Sequence, residues 1–272
     1  MAFVDKYVAE FVQLEVRLIN ARERLAASTD PEALHALRIA VRRIRSLLIP
    51  VRKLEAAQRL KLAAAEVGRF TTAARDMEVM AGELDARGLH DAADTRRSQL
   101  SDLYQTIAGS PVLSELLAAL DQWPSAFRAT AVGQDHVALK RAVVKALDKI
   151  LDTLHLALND PEHDRHELRI LVKRARYLTE AFGDLSPLSG QAAKALKTVQ
   201  GALGAWHDHH QWCLRAEQEP DLLPLRQLWT KASEQELAKA EAQMGKLKDC
   251  LPPVSRKARG KATGAGESSG KA

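Results

Sequence analysis

The sequence predicts an all-α protein built from a duplicated helical repeat, and three observations carry that prediction. Across the 272 residues, Ala, Leu, Glu, Lys, Arg and Gln dominate while aromatics make up 4%, and these abundant side chains lose little rotamer freedom on a helix. No stretch sustains the period-two alternation of a half-buried strand. Pro and Gly instead punctuate apolar-periodic segments of about 15 to 28 residues, the length of ordinary globular helices. With 46% apolar against 28% charged residues, the chain can bury a core without covalent staples.

The elements follow in order. Residues 4–27 read as one amphipathic helix. Asp30-Pro31-Glu32 caps a second, with Pro in the first turn, and Pro50 ends it. A third runs over 51–87, with Gly88 as its C-terminal stop, and a fourth over 91–108 ends at Gly109-Ser110-Pro111. Residues 111–133, interrupted by Trp123-Pro124, read as short helical pieces joining two halves. Helices over 136–158, 160–182, 187–217 and 221–249 complete the second half. The repeats are thus predicted at about 1–122 and 134–250. A Gly/Ser/Lys-rich tail over 251–272 has the composition of a disordered segment.

Composition excludes several classes. The start of the chain carries Asp5 and Glu10 rather than a basic region and an apolar run, and no apolar stretch approaches the roughly 20 residues of a membrane span, so a cytoplasmic protein is expected. Cys213 and Cys250 have neither disulfide-framework nor zinc spacing. No cofactor motif and no metal site are predicted. The net charge of +5 comes largely from the tail, which holds five basic residues against Glu267 alone. What matters is therefore where the remaining charges sit.

They sit in a repeat. Asp30-Pro31-Glu32 followed by His35-Ala36-Leu37-Arg38-Ile39-Ala40-Val41-Arg42-Arg43-Ile44-Arg45 returns as Asp160-Pro161-Glu162 followed by His166-Glu167-Leu168-Arg169-Ile170-Leu171-Val172-Lys173-Arg174-Ala175-Arg176, at an offset of 131. A second echo sets Arg75-Asp76 against His207-Asp208 at an offset of 132. At about 100° per residue, His35, Arg38, Arg42 and Arg45 share an arc of roughly 80°. Leu34, Leu37, Val41, Ile44 and Leu48 form the adjoining apolar stripe, which would bury and so orient the basic edge. His166, Arg169, Lys173 and Arg176 repeat the edge, with Tyr177 beside it, and Arg43 and Arg174 point about 100° away.

Arginine suits phosphate because its guanidinium is permanently charged, weakly hydrated and able to donate two parallel hydrogen bonds. Steps of three and four residues advance about 4.5 to 6 Å along the axis, which fits successive anionic groups on an extended chain better than one isolated phosphate. Like charges on one edge repel by a few tenths of a kcal/mol per pair. Either a ligand or acidic neighbours must offset that, and solvated or ion-paired arginines on an ordinary helix face are the plain alternative.

The duplicated H-x-L-R-x-x-x-[RK]-R-x-R helix resembles the signature of CHAD domains, the conserved-histidine α-helical domains. Arg75-Asp76-Met77-Glu78-Val79 resembles that family's R-D-L-D-V element, and Gly201-Ala202-Leu203-Gly204 with His207-Asp208 resembles its second-half element. The likeness covers roughly residues 4–249. It implies two pseudo-symmetric four-helix bundles with a central basic groove or pore, no enzymatic activity, and binding of inorganic polyphosphate, with targeting to polyphosphate granules. By matching position, His35, Arg38, Arg42, Arg45, His166, Arg169, Lys173 and Arg176 would line the groove; Arg69, Lys194 and Lys197 are further basic candidates. One departure is the first-half L-G element, which is replaced around Arg69-Phe70-Thr71-Thr72.

Two other functions compete. A basic groove attracts any phosphate backbone, so nucleic acid is an alternative partner, although the basic edge carries no interleaved aromatic except Tyr177. His207-Asp208-His209-His210 also invites a metal-dependent phosphohydrolase reading, because His and Asp at helical spacing can share an ion. The other reading of that segment is a polar helix end anchored by Trp206 and Trp212, with Asp76 and Asp208 orienting arginines.

Overall fold

The computed structural model describes residues 2–28 and 30–254, and the predicted tail beyond 254 lies outside the described residues. Eleven α-helices and three short 3-10 turns make up the described elements, and no strand occurs among the described residues. The chain divides into two compact units, one running to Val143 and the next starting at Val144, both within one helix.

The first unit contains α1 (Phe3–Ala26), α2 (Ala33–Leu47), α3 (Glu55–Phe70), α4 (Thr72–Ala86), α5 (His90–Ala108), α6 (Pro111–Arg128), the short α7 (Ala131–Gln134) and the start of α8 (His136–Asn159). Helix α1 packs on α2, α5 and α6, α3 packs on α2 and α6, and α4 pairs with α5. An aromatic nest ties the ends of the unit together. Tyr7 and Phe11 of α1 meet edge to face at 5.3 Å, Phe11 lies 3.9 Å from Trp123, and Trp123 stacks on Phe127 at 4.7 Å. The Tyr7 hydroxyl donates 2.6 Å to the Leu47 carbonyl, so α1 supplies a partner to the last turn of α2, where carbonyls lack helical donors.

Two predicted elements differ here. The single helix expected over 51–87 is two helices that break at Thr71, whose hydroxyl donates back to the Val67 carbonyl at 2.8 Å. No Pro marks the bend, Gly68 lies within the last turn of α3, and a threonine hydroxyl competing for backbone acceptors leaves only a faint sequence signal. The expected linker over 111–133 is mostly one 18-residue helix, α6, that runs through Pro124. Trp123 and Phe127, at 2% and 0% exposure, flank the proline and anchor both sides of it in the core, so packing offsets the lost backbone bond. Gly88 does end α4, with a positive φ of 77° that only glycine adopts without strain.

The second unit comprises the remainder of α8, α9 (Arg165–Ala181), α10 (Gly190–Ala216) and α11 (Arg226–Cys250). Helices α10 and α11 pair extensively and α9 lies on α10. Leu168, Val172 and Ala175 of α9 join Leu196, Val199 and Leu203 of α10 and Ala240, Met244 and Leu247 of α11 in one core. The Asp-Pro-Glu segments are turns rather than caps. Asp30 and Asp160 each accept from the amide two residues on, Glu32 and Glu162. The cap of α9 is Asp164, which accepts from the Glu167 amide at 2.8 Å. Ser189 caps α10 in the same way.

Replacing Tyr7 by Phe should leave the ring contacts in place but strand the buried Leu47 carbonyl. Chemical denaturation should show a loss of about 1–3 kcal/mol.

Candidate polyanion-binding helices

In the first unit the apolar stripe of α2 is fully engaged. Leu34, Leu37, Val41, Ile44 and Leu48 are all 3% exposed or less, which places His35, Arg38, Arg42 and Arg45 along the adjoining, less buried edge. The four are not equivalent. Arg38 reaches across to α3, donating 2.8 Å to the Thr71 hydroxyl and 3.2 Å to the Gly68 carbonyl. Burial lowers its pKa, countered in part by the charge of Asp76. Arg45 is exposed and lies over the same turn, where a methyl added at Gly68 would come within 3.2 Å of its Nη1. The glycine and threonine near the end of α3 thus receive two of the four basic side chains.

Helix α4 contributes residues that the sequence reading left out of the site. Arg75 donates 2.8 Å to Glu78, whose other oxygen accepts 2.6 Å from the Tyr104 hydroxyl of α5. The carboxylate is 8% exposed and so holds Arg75 in one position. Burial, then the nearby Arg75 charge, lowers the pKa of His35 below its ordinary 6.5, with Arg42 adding to the effect and Glu32 and Glu78 opposing it. His35 and Arg75 are therefore neighbours, and the echo of Arg75 at His207 is the sequence signal from which both could have been found.

In the second unit Leu168, Val172 and Ala175 are buried and the repeated edge emerges on α9. His166 is exposed and its ring lies 5.3 Å from that of His207 on α10. Burial, followed by the charges of Arg169, His166, Lys173 and His210, pushes the pKa of His207 down to about 4. Arg176 bonds both Gln200 of α10 and Glu180 of its own helix, and its guanidinium sits 5.6 Å above the Tyr177 ring. His207 therefore belongs with His166, Arg169 and Lys173.

The remaining candidates stand apart from these groups in varying degree. Arg43 pairs with Glu10 of α1 at 3.1 Å, which draws it away from the α2 edge. Arg69 pairs with Glu66 within α3, and Arg174 is exposed. Lys194 and Lys197 are exposed on α10; Lys197 falls about 60° around the helix from Gln200 and Lys194 about 120°.

The His207–His210 segment does not gather as a metal site would. His207 turns to His166, while His209 bonds the Ala205 carbonyl at 2.8 Å and meets Trp212 edge to face. Among the described residues no three His, Cys, Asp or Glu side chains group to hold a metal ion. No helix among the described residues is long and apolar enough to cross a membrane.

These features define an all-helical protein with one basic helix edge in each of two units. The CHAD domain family matches residues 10–217, so the chain belongs to that family. A crystal structure of the CHAD domain from the plant Ricinus communis is similar in fold, at 22% identity and a TM-score of 0.64 over 93% of each chain. Comparison with curated proteins returns no match.

The depressed pKa of His207 has a stability consequence. Above pH 6.5 the imidazole is neutral in both the folded and the unfolded chain and contributes nothing pH-dependent. As pH falls from 6.5 toward 4 the unfolded chain takes up the proton first, so the folded state loses stability across that window. Denaturant titrations at pH 7 and pH 4.5 should show a smaller acid loss in His207→Gln than in the unmodified protein.

Proposed function

We infer that this protein binds inorganic polyphosphate without transforming it, holding runs of phosphates along the basic edge of α2 and along its counterpart on α9. The observation that carries this reading is one edge, His-x-x-Arg-x-x-x-Arg/Lys-x-x-Arg, occurring twice above buried apolar stripes in a chain of the CHAD domain family. The family resemblance implies the ligand, and with it association with polyphosphate granules.

The chemistry of each edge supports the same ligand. Side chains three and four residues apart step about 4.5 to 6 Å along the helix, so an extended chain can meet several in succession while a single phosphate meets one or two. Charge-assisted bonds contribute roughly 1.5 to 3 kcal/mol each, and three or four of them reach micromolar affinity after the cost of association. Arg38 is already oriented by Thr71 and Gly68, and Arg75 by Glu78, so less side-chain entropy remains to be lost on binding.

Arg42 and Lys173 are the residues to change first, because Arg38 also tethers α2 to α3. Arg42→Ala with Lys173→Ala should weaken binding of long-chain polyphosphate by about tenfold or more, read by calorimetric titration, with helicity by circular dichroism unchanged. Affinity for polyphosphate should also fall steeply as salt rises, since counterions are released on binding. Retained affinity in the double variant, or binding indifferent to salt, overturns the reading.

The pH profile follows from the histidines. Phosphate contact favours the protonated form, so affinity should rise with acidification and keep rising until pH falls past the depressed pKa values that His35 and His207 have in the free protein. Titrations from pH 7.5 down to 4 measure it. An affinity that is flat or decreasing over that range removes these two side chains from the contact surface.

A further inference from the structure

The second unit carries something that the first lacks. Four rings gather beside its basic edge: His166 of α9, and Trp206, His207 and His210 of α10. The His166 and His207 rings are 5.3 Å apart and those of Trp206 and His207 6.4 Å. Trp206 and His210, one turn apart, lie nearly parallel, at 21° and 6.2 Å. Trp206 is half-buried and rests against the core of the unit, which fixes its ring, while His210 is exposed. The offset of 132 that relates the two α4-like motifs puts Ala74 at the position of Trp206, Arg75 at that of His207 and Glu78 at that of His210. The first unit thus presents a cation and a carboxylate where the second presents three flat rings.

We propose that the α10 rings of the second unit form a stacking platform for a nucleobase whose attached phosphates lie on the adjoining Arg169 and Lys173, so that this unit accepts base-bearing phosphate chains. The proposal rests on the polyphosphate reading for its phosphate half only. An indole face is a good surface for a purine, and stacking of this kind tolerates any base because each has a π-face. At neutral pH the His207 imidazole is uncharged, so it too meets a base as a flat ring rather than as a cation. The first unit has cationic side chains at the corresponding edge but no such platform, and there an adenosine adds nothing to the grip on phosphate. Either a free nucleoside polyphosphate or the end of a single strand supplies the required chemistry.

The test compares inorganic tripolyphosphate with adenosine triphosphate, both metal-free and at one ionic strength, by calorimetric titration of the full chain, with long-chain polyphosphate as a third arm. The adenosine compound is expected to bind about tenfold more tightly than tripolyphosphate. Trp206→Leu, which keeps an apolar side chain against the core, should abolish that advantage while leaving tripolyphosphate affinity unchanged. His210→Ala, at an exposed position, should reduce the advantage without touching the fold. Equal affinity for the two compounds in the unmodified protein, or an advantage that survives both substitutions, overturns the platform. If long-chain polyphosphate fails to bind while a Trp206-dependent adenosine advantage is present, the polyphosphate reading falls and the platform stands. If long-chain polyphosphate binds and adenosine adds nothing, the reverse holds. A ten-residue oligoadenylate then separates the two sources: tighter Trp206-dependent binding than adenosine triphosphate assigns the platform to a strand, and weaker binding assigns it to the free nucleotide.

Discussion

Burial of the α2 and α9 stripes is the constraint on which the rest depends. Leu34, Leu37, Val41, Ile44 and Leu48 in one unit, and Leu168, Val172 and Ala175 in the other, are withdrawn almost completely from water. Each of the Leu, Ile and Val side chains contributes roughly 1.5 to 3 kcal/mol when fully buried, far more than the few tenths lost to each like-charge neighbour on the adjoining edge. The helices cannot rotate to turn their arginines elsewhere without exposing that stripe. Charge concentration on the basic edge is therefore a consequence of core packing, and it persists whether or not an anion is bound.

The protein manages the resulting repulsion locally. Arg38 lies against the C-terminal end of α3, where carbonyl groups favour a cation, and Arg43 turns to Glu10. Arg75 is held by a carboxylate that Tyr104 also anchors. On α9 the Arg176 guanidinium is shared among Glu180, Gln200 and the Tyr177 face. Ion pairs at exposed positions such as Arg176–Glu180 contribute little energy by themselves. Their effect is to fix geometry, which decides how much ordering a ligand must impose.

The two copies have diverged where α2 and α9 meet their neighbours. Thr71, which receives Arg38, corresponds to Leu203, a fully buried apolar residue. Arg75 corresponds to His207 and Glu78 to His210. A permanently charged, carboxylate-braced position in one unit is thus a titratable ring in the other, so the first unit keeps a cation at this position over the physiological range while the second gains one there only on acidification.

The helical class, the duplication and both basic edges can be read from the chain alone, because each is written in local periodicity: positions three and four apart share a face wherever a helix forms. The stop at Gly88 was legible for a related reason, since its positive φ is a local backbone demand. Other features arise from packing. The break at Thr71 and the continuation through Pro124 turn on which side chains reach a core, and no local propensity encodes that. Nor does spacing along one helix reveal a partner on another: Arg75 joins His35, His207 joins His166, and Arg43 leaves for Glu10, because packing sets distances between residues tens of positions apart in the chain. Helix α10 adds Trp206 and His207 to the rings that α9 itself brings to its edge, His166 and Tyr177, a juxtaposition created by burying two apolar stripes against each other.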